Sequence, residues 1–549
     1  MAGLVRRARD YVKHHGVAYT LYRCGEKAAE SVFKFYDHTW RKLAVTPQEL
    51  EAQRAEKLDA GLISVVVPVY NTNPGMLREM VDSILAQTYQ HWEAILYDDC
   101  SPSEETRAAL EDIRQLDGRI RVYRGEKNQG ISGSTNSAIA LAAGEWIALM
   151  DHDDLLTPDA LYHVAKTIHA EEPELIYSDE DKITEDGRRH TDPHFKPEFC
   201  PDNLRSGNYF CHLMVIRKAL IDKAGGFRTA FNGSQDHDLA LRCIEHTDKI
   251  VHIPRVLYHW RSVKASVSHQ NLMKCVNAAC AAVQEHMERI GWPGTAEPCN
   301  GNIRLRYDIK GQPMVGVYIF GKDDAALQRC ADAMKTMEWP HMAIHTVKIG
   351  QGERYAAMNR AADSAAEDVL LMMDAAVQVD QPEFVTELLM YAQRDDVGAV
   401  TPKLIDRKRL ITHGGYAVDM DGQAQCRQPN IPSHVGGWHL MMQKSHNVAA
   451  VSAACLMIRR DHYIPFDEAY CGGLGAVDWS LQLLDRGMRQ VFTPYALALC
   501  MDRELLLLDK DRDEKDAARY TARWQNVKDP CYSGLFARKK ANYRLRRDY

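Results

Sequence analysis

The sequence predicts an α/β protein with two Rossmann-like, mostly parallel-sheet domains in tandem behind an N-terminal helical extension. Three observations predict it. From Leu62 onward, short β-branched runs alternate with segments whose apolar residues recur at three and four. Acids gather at the carboxyl ends of those runs, where open parallel sheets bind ligands. The pattern also recurs: Asn136 stands 15 residues before Asp151 (151 − 136) and Asn359 stands 15 before Asp374 (374 − 359), each followed by an alanine-rich helix and an apolar strand.

Residues 1–60 are the extension. Val5, Tyr11, Val12, Val17, Leu21 and Tyr22 fall at helical spacing between Arg6, Arg7, Arg9, Lys13, Arg23 and Lys27. This basic amphipathic pattern suits either an anionic membrane surface or packing on the neighbouring domain. Residues 61–300 are the first domain. Leu62 to Tyr70 reads as a strand buried on both faces, and Met76, Leu77, Met80, Val81, Ile84 and Leu85 as a helix over it. Trp92–Tyr97 is a second strand ending in Asp98-Asp99, and Ser101-Pro-Ser-Glu104 reads as a capping box. Ile120–Tyr123 and Trp146–Met150 are the third and fourth strands. Residues 313–510 are the second domain and 511–549 a charged tail, whose Arg538-Lys-Lys and Arg544-Leu-Arg-Arg suit a phospholipid surface or a solvated helix end.

Composition narrows the function. At 549 residues with a net charge of −7, the chain is globular and ill suited to nucleic acid as main partner. Its 14 cysteines include no Cys-x-x-Cys pair, which predicts free thiols in a reducing, cytoplasmic setting. No run of about 18 apolar residues predicts a membrane span. The start shows no apolar core of about 7 residues that would make a secretion signal.

The chemistry gathers in Asn128–Asp154: a Gly-rich turn, a small-residue helix, an apolar strand, then Asp151, Asp153 and Asp154. Acids this close repel unless a cation lies between them, and Asp-His-Asp sets two carboxylates on one side of an extended segment. Alone, the cluster equally suits a solvated loop capping the next helix. Pro68-Val-Tyr-Asn71, Asp98-Asp-Cys-Ser101, Asn128-Gln-Gly130 with Asn136, and Asp151-His-Asp-Asp154 occur in that order within about ninety residues. The ordered set resembles the nucleotide-sugar-binding half of family-2 glycosyltransferases, of the two-module type found in bacterial polysaccharide biosynthesis. Gly225-Gly-Phe, then Gln235-Asp-His-Asp238, and finally Tyr258-His-Trp-Arg261 with Ser266-Val-Ser268 resemble the family's acidic motif and closing segment, with Gln235 where glutamate is usual.

The resemblance implies a GT-A fold, a UDP- or dTDP-linked sugar donor, a Mn2+ or Mg2+ ion, and inversion. Pro68, Tyr70, Asn71, Asp98, Asp99, Asn128, Gly130, Asn136 and Asp151 would bind donor, with Asp99 alternatively a helix cap. Asp151 and Asp153 would hold the metal, joined by His259, which alternatively is a packed aromatic. Asp236 would be the base. Asp179, Asp181, Asp238, Trp260 and Arg261 are candidates for acceptor or sugar hydroxyls, though the first two equally suit a surface turn and Asp238 a solvated first helical turn. The acceptor implied is a glycan or lipid-linked chain in cell-surface polysaccharide biosynthesis of O-antigen or capsule type, served at the inner face of the membrane.

The second half has lost this chemistry. Asp374-Ala-Ala replaces the acidic cluster, Ala476-Val-Asp478 replaces Asp236-His-Asp238, and Cys500-Met-Asp-Arg503 lacks the histidine. It reads as a degenerate copy, glycan-binding or structural. Two alternatives stand beside the transferase. One is a non-catalytic nucleotide-sugar or glycan-binding scaffold, which should show such losses in both halves. The other is a nucleotidyltransferase, whose basic Gly-rich loop is missing at Tyr70–Gly75.

Overall fold

The computed structural model describes residues 36–263, 272–421, 424–502, 506 and 514–546. The expected basic helix within residues 5–27, Ser266-Val-Ser268 and Arg503 lie outside them.

The first half comprises α1 (Tyr36–Leu43), α2 (Pro47–Ala55), β1 (Ile63–Val69), α3 (Pro74–Leu85), β2 (Trp92–Asp98), α4 (Glu104–Arg114), β3 (Ile120–Arg124), α5 (Gly130–Leu141), β4 (Trp146–Leu149), β5 (Leu155–Leu156), α6 (Ala160–Glu171), β6 (Leu175–Thr184), β7 (His190–His194), α7 (Pro201–Ser206), β8 (Met214–Arg217), α8 (Lys218–Ala224), α9 (Gln235–Cys243) and β9 (Ile250–Ser262). Its sheet runs β3-β2-β1-β4-β8-β6-β9-β5, with β7 on β6. The core of β1 is fully buried, from Ile63 to Val67, as its unbroken β-branched run requires. Beyond it, α10 (Leu272–Arg289) and the hairpin of β10 (Gly294–Cys299) and β11 (Asn302–Tyr307) lead to the second half.

That half comprises β12 (Val315–Gly321), α11 (Asp324–Met334), β13 (Met342–Lys348), α12 (Arg354–Ser364), β14 (Val369–Asp374), β15 (Val377–Gln378), α13 (Phe384–Ala392), β16 (Val397–Ile405), β17 (Ile411–His413), β18 (Tyr416–Ala417), β19 (Gln425–Cys426), β20 (His446–Val448), β21 (Cys455–Arg459), α14 (Leu474–Asp485) and β22 (Arg489–Cys500). Its sheet order is β13-β12-β14-β21-β16-β22-β15. Strand for strand this matches β2-β1-β4-β8-β6-β9-β5, and the directions match too: β12 is parallel to β13 and β14, β14 antiparallel to β21, β16 parallel to β22. The protein is therefore two GT-A-like α/β units in tandem.

The two asparagines that revealed the repeat do the same thing in each copy. Asn136 Nδ2 donates to Phe227 O and its Oδ1 accepts from Phe227 N, both at 2.8 Å. Asn359 Nδ2 donates to Phe466 O at 3.0 Å and its Oδ1 accepts from Phe466 N at 2.8 Å. Each amide replaces a strand partner for one loop residue, satisfying buried main-chain groups that would otherwise be orphaned. Asn136, expected at the donor, is thus a structural clamp.

Local chemistry also differs from expectation beside β2. The cap of α4 is Ser103, whose hydroxyl accepts from Thr106 N, and not Ser101. Ser101 Oγ instead accepts from Asn71 N at 3.0 Å, tying the end of β1 to the end of β2.

The two units meet through α7. Arg394 and Asp202 are both buried and pair at 2.5 Å, with Asp396 on the other side of the guanidinium at 2.7 Å. Asn447 Nδ2 donates to the same Asp202 at 2.9 Å. The C-terminal segment, expected to be a charged end, closes this seam. Beyond α15 (Glu514–Trp524), Glu198 N donates to Pro530 O, and Tyr532, Phe536, Ala541 and Tyr543 form one apolar cluster with Tyr36, Phe195 and Val256 of the first unit and Ala417 and Met420 of the second. Arg538, offered to phospholipid by the sequence, pairs with Asp419 at 3.1 Å. The described cysteines are free thiols, and among the described residues no helix is long and apolar enough to cross a membrane.

Breaking the Asp202–Arg394 pair strands a buried charge, so Arg394→Met should cost about 3–5 kcal/mol of stability. Arg394→Met combined with Asp202→Leu should recover much of it, as read by denaturant unfolding.

Candidate functional site

Three acids leave the carboxyl end of β4, and their environments differ. One hydroxyl organises them: Tyr258 OH donates to Asp154 Oδ2 at 2.6 Å and accepts from Asp151 N at 3.1 Å. Arg261 N donates to the other oxygen of Asp154 at 2.7 Å, and Arg261 Nε donates to Asp153 O at 2.7 Å. Asp154 is buried. Burial, then the charges of Asp151 and Asp153, hold its carboxyl well above the usual range. Burial and the Asp151 charge also raise Asp153, against the opposing pull of His152. Asp151 and Asp153 remain open, their side chains 41 % and 26 % exposed.

A cation would relieve this crowding, and a further ligand stands ready. His212 Nε2 lies 3.7 Å from Asp151 Oδ2, its ring stacked on Tyr258 at 4.5 Å. Asp151, Asp154 and His212 each place one ligand atom within 4.8 Å of the others. Carboxylate oxygens with one imidazole suit a hard or borderline divalent ion. Asp153 is the neighbouring open carboxylate.

Asp236 begins α9, where the helix dipole favours a carboxylate. Its Oδ2 accepts from Asn208 Nδ2 at 2.8 Å, and Asn208 Oδ1 accepts from Cys211 N at 3.4 Å, one residue before His212. The segment from Asn208 to His212 therefore connects the Asp236 carboxylate to the acidic cluster. Gln235, the departure from the family pattern, turns its Oε1 back to Gly233 N at 2.8 Å and closes the local turn.

At the opposite end, Asp99 holds the start of α5: its two oxygens accept from Gln129 N at 2.7 Å and Gly130 N at 2.8 Å. Gly130 has φ +72°, which favours glycine, and a Cβ there would sit tightly, 3.1 Å from Asn232 Nδ2. Asn128 Nδ2 donates to Asp99 O at 3.3 Å. Asp98 Oδ1 accepts from Ser101 N at 2.9 Å. Both acids are about 2 % exposed, fixing loops instead of presenting open carboxylates. Pro68 is the penultimate residue of β1. Tyr70 is 45 % exposed and Asn71, with φ +49°, follows it at the rim.

Several expected residues are placed elsewhere. His259 does not join Asp151 and Asp153. Its Nδ1 bonds Asp181 Oδ1 at 2.6 Å, while His190 Nδ1 and Tyr36 OH take Asp181 Oδ2 at 3.0 and 2.9 Å, and Trp40 covers both imidazoles. Asp179 is fully buried under Lys196 N and His252 Nε2, at 2.7 and 2.9 Å. Neither acid is a surface turn or an open sugar contact. Asp238 is fully buried between Arg228 and Arg242 and holds the loop before α9. Arg261 is 2 % exposed, spending its guanidinium on Asp153 O, Glu185 O and Glu79. Trp260 also borders the site, 5.9 Å from the His212 ring. His212 and Asn208 were missed because a lone polar pair before an apolar strand carries no spacing signal. Tyr258 was inside a recognised motif, but its hydroxyl's role depends on the pairing of β5 with β9.

In the second unit a side chain fills the gap. Arg354 pairs with Asp374, whose Oδ1 also accepts from Ala376 N at 2.8 Å. Asp478 is fully buried, bonded by Trp524 Nε1 at 2.7 Å and paired with Arg523 at 3.3 Å.

The profile of glycosyl transferase family 2 matches residues 64–224. The chain is 34 % identical over 481 residues to the uncharacterized protein y4gI of Sinorhizobium fredii, covering 79 % of this chain and 52 % of that protein. It is 31 % identical to the O-antigen biosynthesis protein RfbC of Myxococcus xanthus, covering 79 % of this chain and 36 % of that one. The chain thus spans about half or less of the curated relatives it matches. A structure of S. aureus TarS 1-349 with UDP-GlcNAc is 20 % identical over 40 % of this chain and 66 % of its own, with a TM-score of 0.33, too low to carry an argument.

The buried His252–Asp179 pair predicts a pH effect. Burial opposes the charged imidazole, but the Asp179 carboxylate prevails and raises His252 to about 9. A raised histidine stabilises most below its unfolded value of about 6.5 and loses that contribution as pH rises through about 9. Unfolding free energy should therefore fall over that interval, and His252→Gln should flatten the slope.

Proposed function

We propose that the first unit, whose residues 64–224 match the model of glycosyl transferase family 2, transfers a sugar from a nucleoside-diphosphate donor to a glycan or lipid-linked hydroxyl, with inversion, in cell-surface polysaccharide assembly. The observation that carries this reading is the half-open Asp151–Asp153 pair with His212 beside it, connected to the Asp236 carboxylate through Asn208. The name of the Myxococcus xanthus relative supports the polysaccharide context.

Asp151, Asp153, Asp154 and His212 would hold a Mn2+ or Mg2+ ion. Bound there, it would neutralise charge on the departing diphosphate as a Lewis acid. The chain's own residues supply the rest. The loops at Asn71, Asp99 and Gly130 form the wall on which the nucleotide would rest. Asp236 accepts the proton of the acceptor hydroxyl while that oxygen bonds to the anomeric carbon. The bond from that carbon to the diphosphate breaks on the opposite face, and its electron pair leaves with the diphosphate. Trp260 offers an apolar edge for a sugar ring.

The second unit lacks this capacity on the same physical terms, because Arg354 compensates Asp374 and Asp478 is buried under α15. A scaffold without turnover would be expected to show such substitution in both units, and the first shows none at Asp151 or Asp153.

Release of nucleoside diphosphate from a panel of nucleotide sugars, with Mn2+, Mg2+ or chelator, tests the reading. Turnover should require metal, vanish in Asp153→Ala and persist in Asp374→Ala. Asp236→Asn should lower kcat by about 100-fold or more while leaving donor affinity unchanged. If no donor binds with or without metal, the scaffold reading prevails.

A further inference from the structure

Among the described residues, the second unit buries two lysines without counter-charges and an imidazole nitrogen without a partner. Lys403 on β16 is 5 % exposed, and its Nζ reaches only Ser433 O, at 3.2 Å. Lys444 is 7 % exposed, and among the described residues its ammonium has neither an ion-pair nor a hydrogen-bond partner. His446, fully buried on β20, has an Nε2 with no hydrogen-bond partner. Burial, then the charges of Arg427, Lys444 and Lys403, push that imidazole well below the usual histidine range, and its Nδ1 donates to Lys444 O at 3.0 Å. Burial lowers both lysines to about 8, the expected penalty for ammonium groups taken out of water with no acid beside them.

The surroundings are built to hold something polar. Strand β22 runs between β16 and β20, so Lys403 and His446 flank one strand. Ser445 Oγ, Thr493 Oγ1 and Tyr391 OH form a hydroxyl chain there, at 2.8 and 3.2 Å. Ser433 and Lys444 bracket a loop in which His439 and Leu440 both have positive φ, at 41° and 59°. Consecutive non-glycine residues in that region cost energy that the surrounding packing must sustain. The loop presses His439 onto His194 of the first unit, with ring centroids 4.1 Å apart. Ser206 Oγ anchors Ser445 O at 2.6 Å, two residues before Asn208, the partner of Asp236. Cys211 lies within electrostatic reach of both Lys444 and Asp236.

We propose that Lys403 and Lys444 form an anion subsite at the seam between the units, with His446 Nε2 taking up a proton as the anion binds, and that it takes an oxyanion, carboxylate or phosphate, carried by the acceptor glycan. The subsite supplies charge complementarity, and the bond from Ser206 to Ser445 O ties its loop to the segment that carries Asn208, the partner of Asp236. Its link to the acceptor rests on the transferase reading above. Its affinity for an oxyanion does not.

The experiment therefore has two arms on the full chain. In the first, thermal unfolding is followed with sodium glucuronate, with glucose 1-phosphate, and with sodium chloride at equal ionic strength. Either organic anion at about ten times its dissociation constant should raise the wild-type midpoint by about 1 °C over chloride. Which one does so identifies the anion as carboxylate or phosphate. Lys444→Met should show no such rise, although in chloride it should melt at or above the wild-type temperature because a buried unpaired charge has gone. Lys403→Met is the second variant should Lys444→Met fail to fold. No wild-type shift over chloride, or an equal shift in the variant, would overturn the proposal. In the second arm, Lys444→Met should raise acceptor KM about tenfold, with kcat and donor KM unchanged, and Lys444→Arg should restore it. An unchanged acceptor KM would overturn the acceptor assignment. Absence of wild-type turnover would sink the transferase reading while the first arm still decides the subsite.

Discussion

The geometry of the whole chain depends on one buried ion pair. Asp202 and Arg394 come from different units and are both almost completely removed from water. Charges in such a place are tolerated only when every oxygen and N–H finds a partner. Here Asp396, Asn447 and Arg205 complete the set. Because Asp202 belongs to α7, the pair fixes the helix that leads directly into Asn208 and His212. The second unit thus helps to position residues at the first unit's cluster while supplying no acid to it.

The two units keep one fold while their charge compensation differs. Sheet order, strand direction and the asparagine clamp persist in both. What differs is charge compensation at the end of the fourth core strand. In the first unit Asp151 and Asp153 stay open beside a histidine, whereas in the second a single aspartate is satisfied by Arg354. A crowded set of acids must hold on to protons or take up a cation. A lone acid with an arginine need do neither.

The fold was readable because β-branched runs and helix-periodic segments alternate so regularly, and the repeat because Asn136 and Asn359 keep one spacing. The acids at the end of β4 were readable for the same reason: a strand's carboxyl end is a place that sequence order defines. What sequence order could not say was which acids stay open. Asp179, Asp181 and Asp238 look like exposed candidates until strand pairing brings His252, His259 and two arginines against them. His259 sits on β9 beside the correct strand but bonds Asp181, a choice set by the parallel register of β6 and β9. The C-terminal segment misled for a different reason. Its apolar residues, Tyr532, Phe536 and Tyr543, are too few to show periodicity, and they find partners only once both units are folded.

The arginine at Asp374 has a wider meaning. A guanidinium tethered to the backbone cannot be diluted away, chelated or exchanged for another ion, so the loop after β14 has its counter-ion at a local concentration no solution could match. The corresponding loop of the first unit, if it relies on a diffusible cation, is a switch whose setting follows the ionic composition around it. On that condition one half of the molecule is deaf to the medium and the other listens to it, and the seam, built from residues of both, holds the two together.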